Sequence, residues 1–251
     1  MSEKFLRTSE VAQTIGVHPN TVRLYEEWGF LPPVSRSAGG YRQFTQTHVE
    51  QMRLARLALQ WPYPGGKQVL LDCVHAARNG NLDEALVYAH QFLGHVRAEQ
   101  AQAETAVSFL EEWAQGKQAE ALKRPLRIRH TAQRLNVTSD TLRNWEKSGL
   151  LTVPRDPQNG YRLYNAADIG RLRVIRVLRQ AGYSHTAILR MLIQFDAGER
   201  DHLRHALDTP DPESDIYYIA DNWLTTLASV EERACAIIEQ LDKMINMMRE
   251  S

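Results

Sequence analysis

GGYRQF (residues 39–44) and NGYRLY (residues 159–164) are nearly the same hexapeptide, 120 positions apart in one chain. The offset holds well beyond them. LRTSEVAQTIGVHPNTVRLYEEWGFL (6–31) lies on LRIRHTAQRLNVTSDTLRNWEKSGLL (126–151) without a gap. Thr21, Arg23, Glu26, Gly29 and Leu31 recur as Thr141, Arg143, Glu146, Gly149 and Leu151, and further on Arg53 and Arg56 recur as Arg173 and Arg176. One offset kept over about fifty positions marks a duplicated module, with a period too long for a solenoid repeat. The 251 residues, 43% of them hydrophobic, suffice for two domains with real cores.

Local chemistry shapes each copy. In the second, Arg129–Leu135 reads as a short helix and Asn136-Val137-Thr138 as a turn. Thr138 is a good N-cap for the next helix, Asp140 suits its first turn, and Gly149 ends it. In the first copy Gly16 makes the turn and Pro19 occupies the first helical position, where its missing N–H costs nothing. Two short helices joined by a tight turn form a helix-turn-helix. VPRDPQNGYRLY then carries the Pro and Asn-Gly chemistry of a β-hairpin wing. Ile169, Leu172, Ile175 and Leu178 follow at helical spacing, and SHTAILRMLIQF adds a further helix.

These motifs resemble the winged helix-turn-helix of the MerR family of bacterial transcription regulators. TLRNWEKSGLL and NGYRLYNAADIGRLRVIRVLRQAGYS carry the resemblance in the second copy, TVRLYEEWGFLPP and GGYRQFTQTHVEQMRLARLALQ in the first. It covers about 70 residues of each half, counted over motifs of this kind. The first copy departs at WPYPGGKQVLL, whose prolines and glycines should shorten or reshape its last helices. The fold class expected is mainly α: two winged helix-turn-helix domains, each followed by a helical connector, with long coiled-coil-forming helices. The expected boundaries are 1–75 for the first winged domain, 76–123 for a connector with a long helix near 96–122, 124–196 for the second winged domain, and 197–251 for a connector and C-terminal helix.

The resemblance implies double-stranded promoter DNA as a partner and admits RNA polymerase as another. It implies that Arg42 and Arg162, in the wings, grip the backbone, and that Tyr25 hydrogen-bonds a phosphate. Trp145, its counterpart, has an indole N–H and no hydroxyl. Arg23 and Arg143 lie on the helix that enters the major groove. Residues near that helix's start would face base edges: His18, Pro19 and Asn20 in one copy, Thr138, Ser139 and Asp140 in the other. These sets differ completely, so the half-sites should differ. Glu26 and Glu146 read as partners for a nearby arginine. Tyr41, Tyr161, Phe44 and Tyr164 read as packing within the wings.

Charge by region agrees. The chain is formally neutral, yet residues 123–181 hold thirteen basic residues against four acidic, and residues 1–60 hold seven against five. The stretches 68–122 and 196–251 are acidic, with three basic against eight acidic and five against thirteen. A basic second module and a mildly basic first one suit phosphate contacts.

In the connectors, Asn81 is placed to cap a helix, and Val96, Ala103, Val107, Leu110 and Trp113 line another that Pro125 would stop. After DTPDPESD (208–215), Leu224, Leu227, Val230, Ala234, Ile237, Ile238, Leu241, Ile245 and Met248 form a stripe close to heptad period. In the family such a helix pairs antiparallel with its twin. Here the two helices of one chain can pair as a single-chain pseudo-dimer; the rival is a homodimer through 223–249. Cys73 and Cys235 stand alone and do not reproduce the cysteine arrangement of metal-sensing relatives. His75, His90, His95, His202 and His205 read as scattered surface residues. Tyr217, Tyr218 and Trp223, beside Asp215 and Asp221, are the candidate pocket for a cationic apolar ligand, against a reading as plain aromatic packing.

No apolar run reaches 18 residues, so no membrane partner is expected. MSEKFLRTSEV lacks the apolar segment of a secretory signal, and two isolated cysteines fit a reducing compartment, so a cytoplasmic, nucleoid-associated protein is expected. No phosphate-cradling loop, metal-ligand cluster or nucleophile motif appears, so no cofactor and no enzyme activity are expected. The expected function is a sequence-specific regulator that distorts promoter DNA. The alternatives are an architectural or recombination accessory protein of low specificity, and an adaptor whose first module has lost DNA binding.

Overall fold

The structure, a computed structural model, describes residues 5–117, 122–209 and 221–250. The order is α1 (Thr8–Ile15), α2 (Pro19–Glu27), β1 (Ser35–Arg36), β2 (Arg42–Gln43), α3 (Gln46–Ala58), α4 (Gln68–Arg78) and α5 (Leu82–Ala114). The second half repeats it with β3 (Leu126–Arg127), α6 (Ile128–Leu135), α7 (Ser139–Lys147), β4 (Leu163–Tyr164), α8 (Ala166–Gln180) and α9 (His185–Asp196). The short α10 (Leu203–Asp208) and the long α11 (Trp223–Arg249) follow. The protein is mainly helical, with two small winged sheets.

Equivalent positions do equivalent work in both halves. Gly16 (φ 73°) and Asn136 (φ 49°) both take the left-handed conformation that ends the first helix of the pair. Val17 N–H then donates to Ala12 O (2.9 Å) and Val137 N–H to Ala132 O (3.0 Å), closing the turn. Thr138 caps α7 as its sequence position predicts, accepting from Thr141 N–H at 3.0 Å. Each wing is a three-stranded scrap. Phe44 pairs with Leu6 as Tyr164 pairs with Leu126, and Arg36 pairs with Arg42 as Arg155 pairs with Arg162. The chain entering each wing is pinned from behind: Gln51 Nε2 donates to Phe30 O (3.0 Å) and Arg171 Nε to Leu150 O (2.8 Å).

Two expectations are corrected. The helix expected near 96–122 is one helix from Leu82 to Ala114. Asn81 stands just before it, its carbonyl accepting from Ala85 N–H (3.0 Å). Gly94 lies inside it without breaking it, and Gly116 (φ 76°) rather than Pro125 stops it. The prolines and glycines of 61–66 reshape the first copy only at the entry to its last helix, since α4 persists with 11 residues against 12 in α9.

The chain packs into two units: Met1–Ala98 with Ser229–Ser251, and Glu99–Ala228. In the first, α3, α4 and the first half of α5 close over Val230, Ala234, Ile237 and Leu241 of α11. Arg97 pairs with Glu231 and the Arg233 guanidinium lies over Phe92, so within this unit the two helices run antiparallel. Fully burying a Val, Leu or Ile side chain contributes about 1.5–3 kcal/mol, so this apolar seam outweighs the exposed ion pair beside it. In the second unit, α8 and α9 close over Ala103, Val107 and Leu110 of α5 and Leu227 of α11. Each module's core therefore includes a segment of the long helix that follows the other module. Of the expected α11 stripe, Met248 is 60% exposed, and Met244 is buried in its stead. Cys235 packs at the edge of the first unit's apolar cluster, and burial pushes the Cys73 thiol up to about 12.

One pair of equivalent positions seats these long helices by opposite means. Glu50, on α3, is almost wholly buried and accepts from Gln46 (2.8 Å), Arg53 (2.7 Å), Gln240 (2.9 Å) and Lys243 (2.8 Å). Its counterpart on α8 is Gly170, where a Cβ would lie 2.9 Å from Trp113 Nε1 of α5. Burial alone would raise the Glu50 pKa, but the bonds from Gln240, Lys243 and Gln46 and the charge of Arg53 outweigh it and hold the carboxyl at about 2.

Two outcomes follow. The Glu50 value lies below the ordinary Glu value of about 4.3, so its contribution is present above that value and lost as pH falls through 2. Acid titration of thermal stability should cost the wild type on the order of 2–3 kcal/mol more than Glu50→Gln between pH 5 and 2. Gly170→Val forces its side chain into the Trp113 ring and should destabilise the second unit by about 1–3 kcal/mol in denaturant titrations.

Candidate nucleic-acid interface

The helix-turn-helix presents the start of α2 and of α7, and the wing stands beside each. His18 is the N-cap of α2: its Nδ1 accepts from Asn20 N–H at 3.2 Å, which leaves Nε2 as the N–H donor. Thr138, the N-cap of α7, is committed to Thr141, both through the cap and through a hydroxyl–hydroxyl bond of 2.8 Å. Pro19 and Ser139 are partly covered, whereas Asn20 and Asp140 are exposed. One turn on, Arg23 and Arg143 are exposed on the same face. Arg23 Nη1 donates to Asn20 Oδ1 (3.3 Å), and Arg143 pairs with Asp140.

The wing arginines are fixed by the glutamates of the second helix. Arg42 Nε pairs with Glu26, and Arg162 Nε with Glu146 at 2.5 Å. The four side chains keep 20–28% of their surface exposed. A guanidinium has five N–H donors, so a carboxylate that takes Nε orients the group without exhausting it. In the second module Arg155 Nη2 also approaches Glu146, at 3.9 Å.

Tyr25 and Trp145 do not behave alike. Tyr25 is half-buried in a cluster with Trp28 and Phe30, and its phenol pKa is raised by burial, with Arg56 opposing. Trp145 is 6% exposed and fills the second module's core. The reading of the wing aromatics needs correction. Phe44 and Tyr164 are fully buried, but Tyr41 is 75% and Tyr161 58% exposed, the latter with Arg127 over its ring at 5.0 Å. Strand alternation carried the signal: 42 and 44 share one side, which turns 41 to the other. Leu24 and Trp28, at 41% and 57% exposure, were also missed; Asn144 and Ser148 hold those positions in the second module.

Of the candidate ligand pocket, Tyr217, Tyr218 and Asp215 lie outside the described residues. Trp223 donates its indole N–H to Ala181 O (2.9 Å) and its ring lies against Gly182, while Asp221 is buried and accepts from Ser184. Among the described residues there is no group of His, Cys, Asp or Glu able to hold a metal ion, and no helix long and apolar enough to cross a membrane.

The model of the MerR HTH family regulatory proteins matches residues 6–60 and again 126–194, the two winged modules. The chain belongs to the MerR family, with two such domains in tandem. The HTH-type transcriptional regulator CueR of Escherichia coli O157:H7 is 40% identical over 55 residues, 22% of this chain and 41% of that protein. The HTH-type transcriptional regulator ZntR of Escherichia coli strain K12 is 38% identical over 66 residues, 26% of this chain and 47% of that one. A mercuric resistance operon regulatory protein of Bacillus cereus is 30% identical over 73 residues, 29% of this chain and 55% of that one. The chain thus spans about two fifths to one half of the curated relatives it matches. No solved structure matches it.

Thr138→Ala tests the cap. Loss of the hydroxyl should cost about 1 kcal/mol in chemical denaturation of the second unit. A cost within about 0.3 kcal/mol would mean that the hydroxyl is not needed to start α7, since surface changes away from such features stay that small.

Proposed function

We propose that this protein is a sequence-specific DNA-binding transcription regulator that reads promoter DNA with two non-identical winged heads on one chain. The observation that carries this reading is the paired geometry: in both heads a helix start is exposed beside an arginine that a buried-side glutamate fixes in the wing. Base edges would be met by the helix, and phosphates by Arg42, Arg162, Arg23 and Arg143. The relatives' names, regulators of transcription and of a mercury resistance operon, fit a regulator rather than an enzyme.

The single chain acts as a pseudo-dimer. Its support is that each module's core takes in part of the other half's long helix. A homodimer through 223–249 would have to draw Val230, Ala234, Ile237 and Leu241 away from the cluster in which they are already buried. With two heads joined in one chain, binding would distort the duplex between half-sites, an energy read through DNA deformability. RNA polymerase would then meet the distorted promoter in the cytoplasm. The architectural alternative lacks an account of why the exposed positions of α2 and α7 differ while their supports are kept.

The test is binding to an enriched promoter duplex across salt concentrations. Arg42→Ala and Arg162→Ala should each weaken binding and lower the slope of log affinity against log salt by about 1, the value for one phosphate contact. Loss for Arg162→Ala with none for Arg42→Ala would leave one working head and favour the adaptor reading. Equal affinity of the wild type for all sequences would favour the architectural one.

A further inference from the structure

The second residue of α2 and the second residue of α7 occupy equivalent places with different chemistry. Asn20 and Asp140 are both exposed, both lie on the face of the arginine three residues on, and both accept a hydrogen bond from it. Their neighbours are poor readers of sequence. Pro19 has no side-chain donor or acceptor, Thr138 is committed to the cap, and a serine hydroxyl such as that of Ser139 pairs with any base. His18 keeps its Nε2–H as a lone donor, which any base acceptor can meet, so the groups at equivalent positions that discriminate are an amide in one head and a carboxylate in the other.

The two groups demand different base edges. The Arg23 guanidinium donates to Asn20 Oδ1, which fixes that atom as the acceptor, leaves Nδ2 as the amide's donor and leaves Oδ1 a second lone pair. Adenine alone presents the matching acceptor and donor, N7 and N6–H, in the major groove. Asp140 only accepts. Guanine offers two acceptors there, thymine an acceptor and a methyl, and adenine an acceptor beside its donor, all of which a carboxylate meets with repulsion or without a partner. Cytosine presents its N4–H donor with no competing acceptor. Arg143, paired to Asp140, offsets the carboxylate's repulsion from neighbouring phosphates.

We propose that Asn20 and Asp140 set one base pair each in two unlike half-sites, Asn20 selecting adenine and Asp140 selecting cytosine. The proposal rests on the DNA-reading function above and names what each head reads. Because both residues are exposed, exchanging them leaves the buried core of each head untouched.

The experiment is enrichment of binding sites from a random duplex pool by the full-length wild type, by Asn20→Asp and by Asp140→Asn, with circular dichroism to check that each folds. The wild type should enrich an adenine in one half-site where the other carries cytosine. Asp140→Asn should turn that cytosine to adenine, and Asn20→Asp should turn the adenine to cytosine, each by at least about fivefold. Variants that change overall affinity but enrich the same bases as the wild type overturn the proposal and leave the DNA-reading function standing. No enrichment by the wild type overturns both.

Discussion

The fold depends on an apolar seam that neither module makes alone. Val230, Ala234, Ile237 and Leu241 of the last helix are buried against the first module, and Ala103, Val107 and Leu110 of the middle helix against the second. A module of about 70 residues that stopped at its fourth helix would leave the outer faces of α3 and α4, or of α8 and α9, open to water. Closing those faces with the long helices removes that apolar area, and at about 25 cal/mol per Å² this is the largest stabilising term available. The polar seats then refine the fit. Glu50 takes four partners where a buried carboxylate with none would be expelled, and Gly170 clears the space that Trp113 fills.

On that frame the two heads keep their supports and vary their tips. The glutamate–arginine bridge between helix and wing recurs at Glu26–Arg42 and Glu146–Arg162, and so does the left-handed turn at Gly16 and Asn136. On the outward face of the second helix three positions vary: Asn20 against Asp140, Leu24 against Asn144, Trp28 against Ser148. A duplication that keeps the parts which position and changes the parts which face outward is what two linked heads with different targets require. Linkage also matters energetically, since the second head would bind at an effective concentration near the millimolar range.

Much of this was legible in the sequence because its signals are local. Thr138, Pro19, Gly149 and the Asn-Gly of the wing act on their immediate neighbours, and the common offset of 120 exposes the duplication directly. The pairing of Glu26 and Glu146 with arginines was legible too, as both recur with the offset. The exposure of Tyr41 and Tyr161 could have been read from strand alternation, but aromatic residues in a short hairpin look like packing. The continuity of α5 through Gly94 was not legible, since a single glycine costs a helix only about 1 kcal/mol and packing along 33 residues overrides it. Least legible was which module each long helix serves. Burial of Leu241 in the same cluster as Leu54 joins residues far apart in the chain, and no local pattern encodes such packing.

The central claim is that one chain supplies both heads. The most direct measurement is sedimentation equilibrium of the full-length protein, alone and bound to a duplex carrying its enriched site. The account predicts the mass of one chain at micromolar concentration, and one chain per duplex in the complex. A protein of twice that mass in free solution, or two chains on each duplex, would contradict it.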